Sequence, residues 1–294
     1  MDKKKLNPLA RFRGFIQAGA TLLTNIHLPN FAKGTLYQGN GKYVCVPGLN
    51  CYSCPGAAGA CPVGAFQAVV GSSKFRFSYY ITGILILFGV LLGRFICGFL
   101  CPFGWFQELL HKIPSPKLST KKLKPLRYLK YAVLLVMVVL LPLLAVNELG
   151  MGDPFFCKYL CPQGVLEGAL PLSLTNAGIR AALGKLFTWK ACILLAVIMG
   201  SVVFYRPFCK WLCPLGAFYA LLNNVSLFQM RVDTHKCVSC GACAKACKMD
   251  VDITKTPNHA ECIRCGMCMK ACPTDAIQYK FGLGDQSNTE TTKE

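Results

Sequence analysis

Residues 237–247 read CVSCGACAKAC and residues 262–273 read CIRCGMCMKACP. Both runs space their cysteines as C-x2-C-x2-C-x3-C, and the second ends in Pro273. This is the bacterial spacing for two [4Fe–4S] clusters, in which the fourth cysteine of each run serves the other cluster. One cluster is therefore expected on Cys237, Cys240, Cys243 and Cys272, the other on Cys262, Cys265, Cys268 and Cys247. Gly241 and Gly266 let the backbone approach closely and turn N–H groups toward the sulfurs. Thiolate quartets also suit zinc, but two interleaved runs of this spacing weigh against it. Lys248 stands where the first run would usually carry its proline, with no loss of the cluster expected. The flanking sequence is polar, so 231–281 reads as a separate α+β two-cluster domain. A Thr/Glu/Lys tail over 282–294 is expected to be disordered.

The 230 residues upstream have a different character. The whole chain of 294 residues is 53% hydrophobic and only 15% charged, against about 25% charged in soluble domains. Uncharged runs occur at Gly14–Ala32, Phe77–Gly93 and Tyr131–Asn147, and Leu186–Tyr205 is an apolar run with Lys190 as its single charge. With flanking residues each approaches the ~20 needed to cross a bilayer, so 1–230 is expected to be a mainly α, multi-span membrane domain. Ala18-Gly19-Ala20 resembles a signal cleavage site, yet the apolar run continues past it and a retained helix is expected. Lys190, near one end of the last run, is expected to snorkel to the headgroups. Cys192, alone inside that run, reads as a small core residue. Trp211–Met230 is also uncharged, but Pro214, Asn223 and Asn224 mark it as a short interfacial helix.

Loop charge sets orientation. Lys112–Lys130 holds seven Lys or Arg and no acid, which places it in the cytoplasm. The basic head (Lys3, Lys4, Lys5, Arg11, Arg13) and everything after Arg206 then lie on the same side, and 30–74 and 148–185 lie outside. The expected location is the inner membrane of a prokaryote. The formal charge of +19 fits positive-inside loops and thiolates counted as neutral. No recognition signature for nucleic acid accompanies it.

Eleven further cysteines precede the C-terminal runs. Three motifs share Cys-x3-Cys-Pro-x-Gly: Cys97/Cys101, Cys157/Cys161 and Cys209/Cys213. A fourth copy, Cys61-Pro62-Val63-Gly64, follows Cys45, Cys51 and Cys54. Proline favours the first helical position, which puts the preceding cysteine at a helix N-terminus, where the dipole favours thiolate and an anionic cluster. In this topology the copies alternate in depth. An inner set comprises Cys97, Cys101, Cys209 and Cys213. An outer set comprises Cys157 and Cys161 with two of Cys45, Cys51, Cys54 and Cys61. Arg94 and Arg206 each stand three residues before an inner motif, to steady a reduced cluster or simply to anchor the chain inside. Outer cysteines could instead form disulfides, and the inner pairs could be dithiol switches or transient metal ligands. Four histidines with no paired placement argue against haem.

Spans, Cys-x3-Cys-Pro motifs and a terminal two-cluster domain together resemble the membrane polyferredoxin family that includes NapH and NosR, over most of the chain. The resemblance implies electron transfer between a cytoplasmic or quinone pool and an outward-facing partner. NosR-like proteins carry an outer flavin-binding domain that this chain lacks, and the Cys45–Cys61 group exceeds the simpler two-motif pattern. The expected role is a transmembrane electron conduit with one or two membrane clusters beyond the two at the C-terminus. Its donor would be a soluble ferredoxin or another redox subunit, and its acceptor an extracytoplasmic flavoprotein or reductase. A quinol or quinone oxidoreductase, and a metal-reducing or assembly factor, are the alternatives.

Overall fold

A computed structural model describes residues 7–72, 78–148 and 151–282; Lys3, Lys4, Lys5 and the expected tail beyond Gly282 lie outside them. The chain is mainly helical, with principal helices α1 (Arg13–Thr24), α2 (Pro62–Gly71), α3 (Tyr79–Leu92), α4 (Pro102–Leu110), α5 (Lys121–Leu144), α6 (Lys185–Val203) and α7 (Pro214–Leu222). Two strands, β1 (Phe228–Val232) and β2 (Ile277–Phe281), pair antiparallel with Met230 opposite Tyr279. They close the C-terminal domain, and β1 straddles the expected boundary at 230/231.

Among the described residues, α5 and α6 are the two helices long and apolar enough to cross a membrane. Only 22% and 17% of their most apolar windows is buried, whereas the core helix of a water-soluble fold is mostly buried. The other two expected spans are shorter. Helix α1 has 12 residues and α3 has 14, or roughly 18 and 21 Å at 1.5 Å per residue, against a hydrocarbon core of about 30 Å. Asn25 ends α1, and Gly93 in the left-handed region (φ 54°) ends α3. Within the uncharged run 211–230, helix α7 is short as expected, nine residues and mostly buried, while Leu221 and Val225 are exposed. Cys192 is exposed. The buried stripe of α6 runs through Leu194, Val197 and Ser201, and Cys192 is about 200° around the helix from Leu194.

One core joins the two parts. Leu49, Ile96, Phe103, Phe156, Phe208 and Tyr219 pack with Met249, Val251 and Ile263 of the C-terminal domain. A smaller core of Met230, Ile253, Met269 and Ile277 lies inside that domain.

Candidate metal centres

Three of the four Cys-Pro steps open helices as the sequence predicts. Cys61, Cys101 and Cys213 are extended N-cap residues, with Pro62, Pro102 and Pro214 in the first turn. The fourth departs: after Cys161-Pro162 the chain enters a wide π-turn at Gly164–Ala169.

In the C-terminal domain the cysteines line two cavities. Cys237, Cys240, Cys243 and Cys272 surround one. Cys247, Cys262, Cys265 and Cys268 surround the other. Both runs place alternate residues in the left-handed region, Ser239 with Gly241 and Arg264 with Gly266, a geometry that turns successive N–H groups inward as an anion nest.

The upstream cysteines also gather in fours. Cys97, Cys101, Cys209 and Cys213 lie within electrostatic reach of one another. In the second group Cys161 faces Cys157, Cys51 and Cys61. Of the four candidates left open in the sequence, Cys51 and Cys61 thus stand with Cys157 and Cys161. Cys54 points instead to Asn25, its Sγ 3.3 Å from Oδ1, and Cys45 lies at a β-bridge with Ala60. The sulfurs of both upstream quartets are unbridged thiols.

One construction rule serves both quartets. Six residues after the Cys-Pro cysteine, Gln107 donates from Nε2 to Cys209 Sγ at 3.1 Å, and its Oε1 accepts from Phe208 N at 3.2 Å. Gln67 repeats this with Cys157 Sγ at 3.1 Å and Phe156 N at 3.0 Å. Glu167 holds the same position in the third copy, accepting from Cys51 N at 2.9 Å; burial pushes its carboxyl up to about 7. The fourth copy places Tyr219 there. Its ring is fully buried, its hydroxyl donates to Pro47 O at 3.0 Å, and it lies within electrostatic reach of Cys97, Cys101, Cys45 and Cys61. None of these four residues follows from cysteine spacing alone. A CPxGxFQ repeat, shared by 61–67 and 101–107, was the available signal.

Arg94 and Arg206 are fully buried at the first quartet. Arg94 faces Cys97, and Arg206 faces Cys209 and Cys101. Arg94 Nη1 donates to Glu261 Oε2 at 2.8 Å and Ala260 O at 2.9 Å. Arg206 donates to Cys97 O, and its Nε lies 2.9 Å from Glu108 Oε1. Burial would push the Glu108 carboxyl up, but Arg206 and Arg13 outweigh it and hold it at about 2. Arg94 Nε and Nη2 and Arg206 Nη2 have no hydrogen-bond partner among the described residues. Buried donors of this kind are costly unless an anion meets them. Lys190 does not snorkel: its Nζ turns inward and donates to Cys157 O at 2.9 Å.

The C-terminal domain sits directly on the first quartet. A Cβ on Gly98 would meet Ile263 O at 2.3 Å, so only glycine lets the Cys262–Cys265 loop touch the Cys97–Cys101 motif. Asn223 accepts from Arg94 N at 2.9 Å and donates to His259 O and Cys262 O at 2.9 and 3.1 Å. Lys210, buried within the Cys209–Cys213 motif, donates to Lys248 O at 2.6 Å and pairs with Asp250 at 3.1 Å.

These donor sets fit [4Fe–4S] clusters. Among the described residues no three His, Cys, Asp or Glu side chains stand close enough to hold one metal ion. A cubane is larger than an ion and spreads its four thiolates further apart. Beside the first quartet stand the unpartnered guanidinium N–H groups of Arg94 and Arg206.

Comparison with known proteins agrees. A 4Fe-4S binding domain profile matches residues 59–80, 77–121, 131–170 and 187–233, each match holding one Cys-Pro-x-Gly copy. A second 4Fe-4S binding domain profile matches 230–251 and 256–278. An uncharacterized protein of Methanocaldococcus jannaschii, MJ0750, is 29% identical over 69% of this chain and 79% of its own length. YccM of Escherichia coli, named as an electron transport protein, is 26% identical over 58% of this chain and 45% of its own. MauN of Methylorubrum extorquens, a methylamine utilization ferredoxin-type protein, is 25% identical over 64% and 55%. The chain thus spans about half the length of the last two. No solved structure matches. With profile matches covering half of its residues, the chain belongs to the 4Fe-4S binding domain family, and [4Fe–4S] clusters are its cofactors.

Proposed function

We propose that this protein conducts electrons across a membrane, with Cys237/Cys240/Cys243/Cys272, Cys247/Cys262/Cys265/Cys268, Cys97/Cys101/Cys209/Cys213 and Cys51/Cys61/Cys157/Cys161 as the ligands of four clusters. When bound, the clusters supply one-electron carriers whose potentials answer to charge, hydrogen bonding and burial. The protein's part is to fix their spacing and environment. The observation that carries the reading is the unbroken succession of quartets. The Cys262 loop touches the Cys97 motif at Gly98, and Tyr219 lies within electrostatic reach of Cys97 and Cys101 and of Cys61.

The entry end is exposed. Cys240 lies at the surface, with Val238 63% accessible, so a soluble ferredoxin or a redox subunit can approach it. Gln107, Arg94 and Arg206 then tune the inner site, and Gln67 and Glu167 the outer one. Helices α5 and α6 cross the bilayer, and α1 and α3 reach part-way as broken helices that carry motifs to depth. Two crossings, like four, leave the N-terminal head and the C-terminal domain on one side, the cytoplasmic side by loop charge. The outer quartet would deliver to an extracytoplasmic flavoprotein or reductase. YccM's name accords with this reading.

A second reading, quinol or quinone oxidoreduction, draws on one feature. A cleft of ≈ 700 Å³ opens between the start of α5 and the C-terminal domain, lined by Tyr128, Tyr131, His259 and Glu261. Proteoliposomes separate the two. With dithionite outside, on the C-terminal-domain side, and an impermeant dye trapped inside, the conduit reduces the dye without added quinone, and a Cys161→Ser variant does not. Dye reduction only when a quinone analogue is present would sink the conduit.

A further inference from the structure

The inner quartet has two buried arginines, and no residue has yet been given the corresponding role at the outer one. The shared construction locates it. At the inner site Arg206 donates to the carbonyl of Cys97, and its Nη1 would lie 2.9 Å from a Cβ on Gly104 of the facing Cys-Pro-x-Gly copy. At the outer site Lys190 donates to the carbonyl of Cys157 at 2.9 Å, and its Nζ would lie 3.3 Å from a Cβ on Gly164 of the Cys161 copy. Cys97 and Cys157 are each the first cysteine of their motif, and Gly104 and Gly164 occupy the same motif position. The same Gly164 Cβ would stand 3.8 Å from Cys51 Sγ, so the ammonium and that sulfur flank one glycine. Lys190 also acts electrostatically on both Cys51 and Cys157.

We infer that Lys190 is the counter-cation of the outer cluster, the positional equivalent of Arg206, and that its charge raises that cluster's reduction potential. The inference rests on the outer quartet assigned above. A lysine here differs from an arginine in kind: it is a compact point charge with one head atom, where Arg206 spreads its charge over a planar fork. The neighbours accord with a single working cation. Glu167 and Lys42 also act on Cys51, but Lys42 Nζ is turned away to Tyr52 O at 2.6 Å and lies over the Tyr52 ring at 4.7 Å. A negative cluster beside Glu167 therefore has Lys190 as its aimed positive partner.

The test is an EPR-monitored redox titration of the full-length protein as Lys190→Met and Lys190→Arg, with the outer signal identified as the one absent in Cys161→Ser. Lys190→Met should make the outer cluster at least tenfold harder to reduce, a downward shift of about 59 mV or more for one electron. The other three signals should stay in place, and Lys190→Arg should recover most of the shift. Loss of the outer signal in Lys190→Met with its return in Lys190→Arg would equally support a cationic role. An unshifted outer potential in Lys190→Met, or loss of the signal in both variants, would overturn it. If wild type has no outer signal to lose in Cys161→Ser, the quartet assignment fails, a result separate from any effect of Lys190.

Discussion

Glu261 is where the two halves of the molecule are pinned electrostatically. Its carboxylate lies 2.8 Å from Arg94 and 2.5 Å from Lys130, and both cations are fully buried. Replacing it by alanine leaves two buried positive charges uncompensated, a change that costs about 3–5 kcal/mol when one partner of a buried pair is removed. At 1.36 kcal/mol per power of ten, docking of the C-terminal domain on the Cys97 motif should weaken by roughly two to nearly four powers of ten. Hydrogen exchange on Glu261→Ala should show faster exchange at 94–98 and 259–264, with the strand pair 228–232/277–281 unchanged. The same contact gives a pH dependence. Burial alone would raise the Glu261 carboxyl, but Arg94 and Lys130 outweigh it and hold it at about 2, against an ordinary 4.5. A depressed carboxyl contributes stability above its unfolded value and loses it as it protonates in the fold. Docking should thus be full above pH 4.5 and fail progressively toward pH 2. Unchanged exchange in Glu261→Ala at neutral pH would refute this account of the joint.

Other expectations concern single contacts. Gly98→Ala forces a methyl against Ile263 O, so it should destabilise the joint by about 1–3 kcal/mol, read as a lower midpoint of thermal detachment with the eight cysteines of the two C-terminal-domain cavities still loaded with iron. Gln107→Leu removes the bond to Cys209 Sγ and strands the buried Phe208 N–H, costing about 1–3 kcal/mol. It should perturb the inner EPR signal and spare the outer one, whereas Gln67→Leu should do the reverse. Cys51→Ser should lose one cluster's worth of iron and Cys54→Ser none, as measured by iron per chain; equal loss in both would contradict the outer quartet.

Different parts of this architecture were legible from sequence to different degrees. The C-terminal runs were fully so, because their spacing is local and three ligands of each cluster come from one loop. The upstream motifs revealed that Cys97 and Cys209 pair at one level, since the alternation of apolar runs with Cys-Pro steps sets depth. Which of Cys45, Cys51, Cys54 and Cys61 join the outer set could not be read, because their loop has no helical or strand period to fix where each thiol points. Two of the four expected spans are of bilayer length among the described residues. Hydropathy reports an apolar run but not where its helix stops: α1 ends at Asn25 inside its run, and α3 fills its run with only 14 residues. Lys190 was misread for a related reason: snorkelling and inward pairing look alike until the facing chain, here the Cys157 carbonyl, is placed.

The central claim is that thiolates from distant segments converge on four shared clusters. Iron and acid-labile sulfide quantification on anaerobically purified protein, combined with EPR of the reduced state, tests it most directly. With four irons per cubane, the account predicts about 16 iron atoms per chain, falling to about 12 in a Cys97→Ala/Cys213→Ala variant that loses one signal. A value near 8, unchanged in that variant, would contradict it.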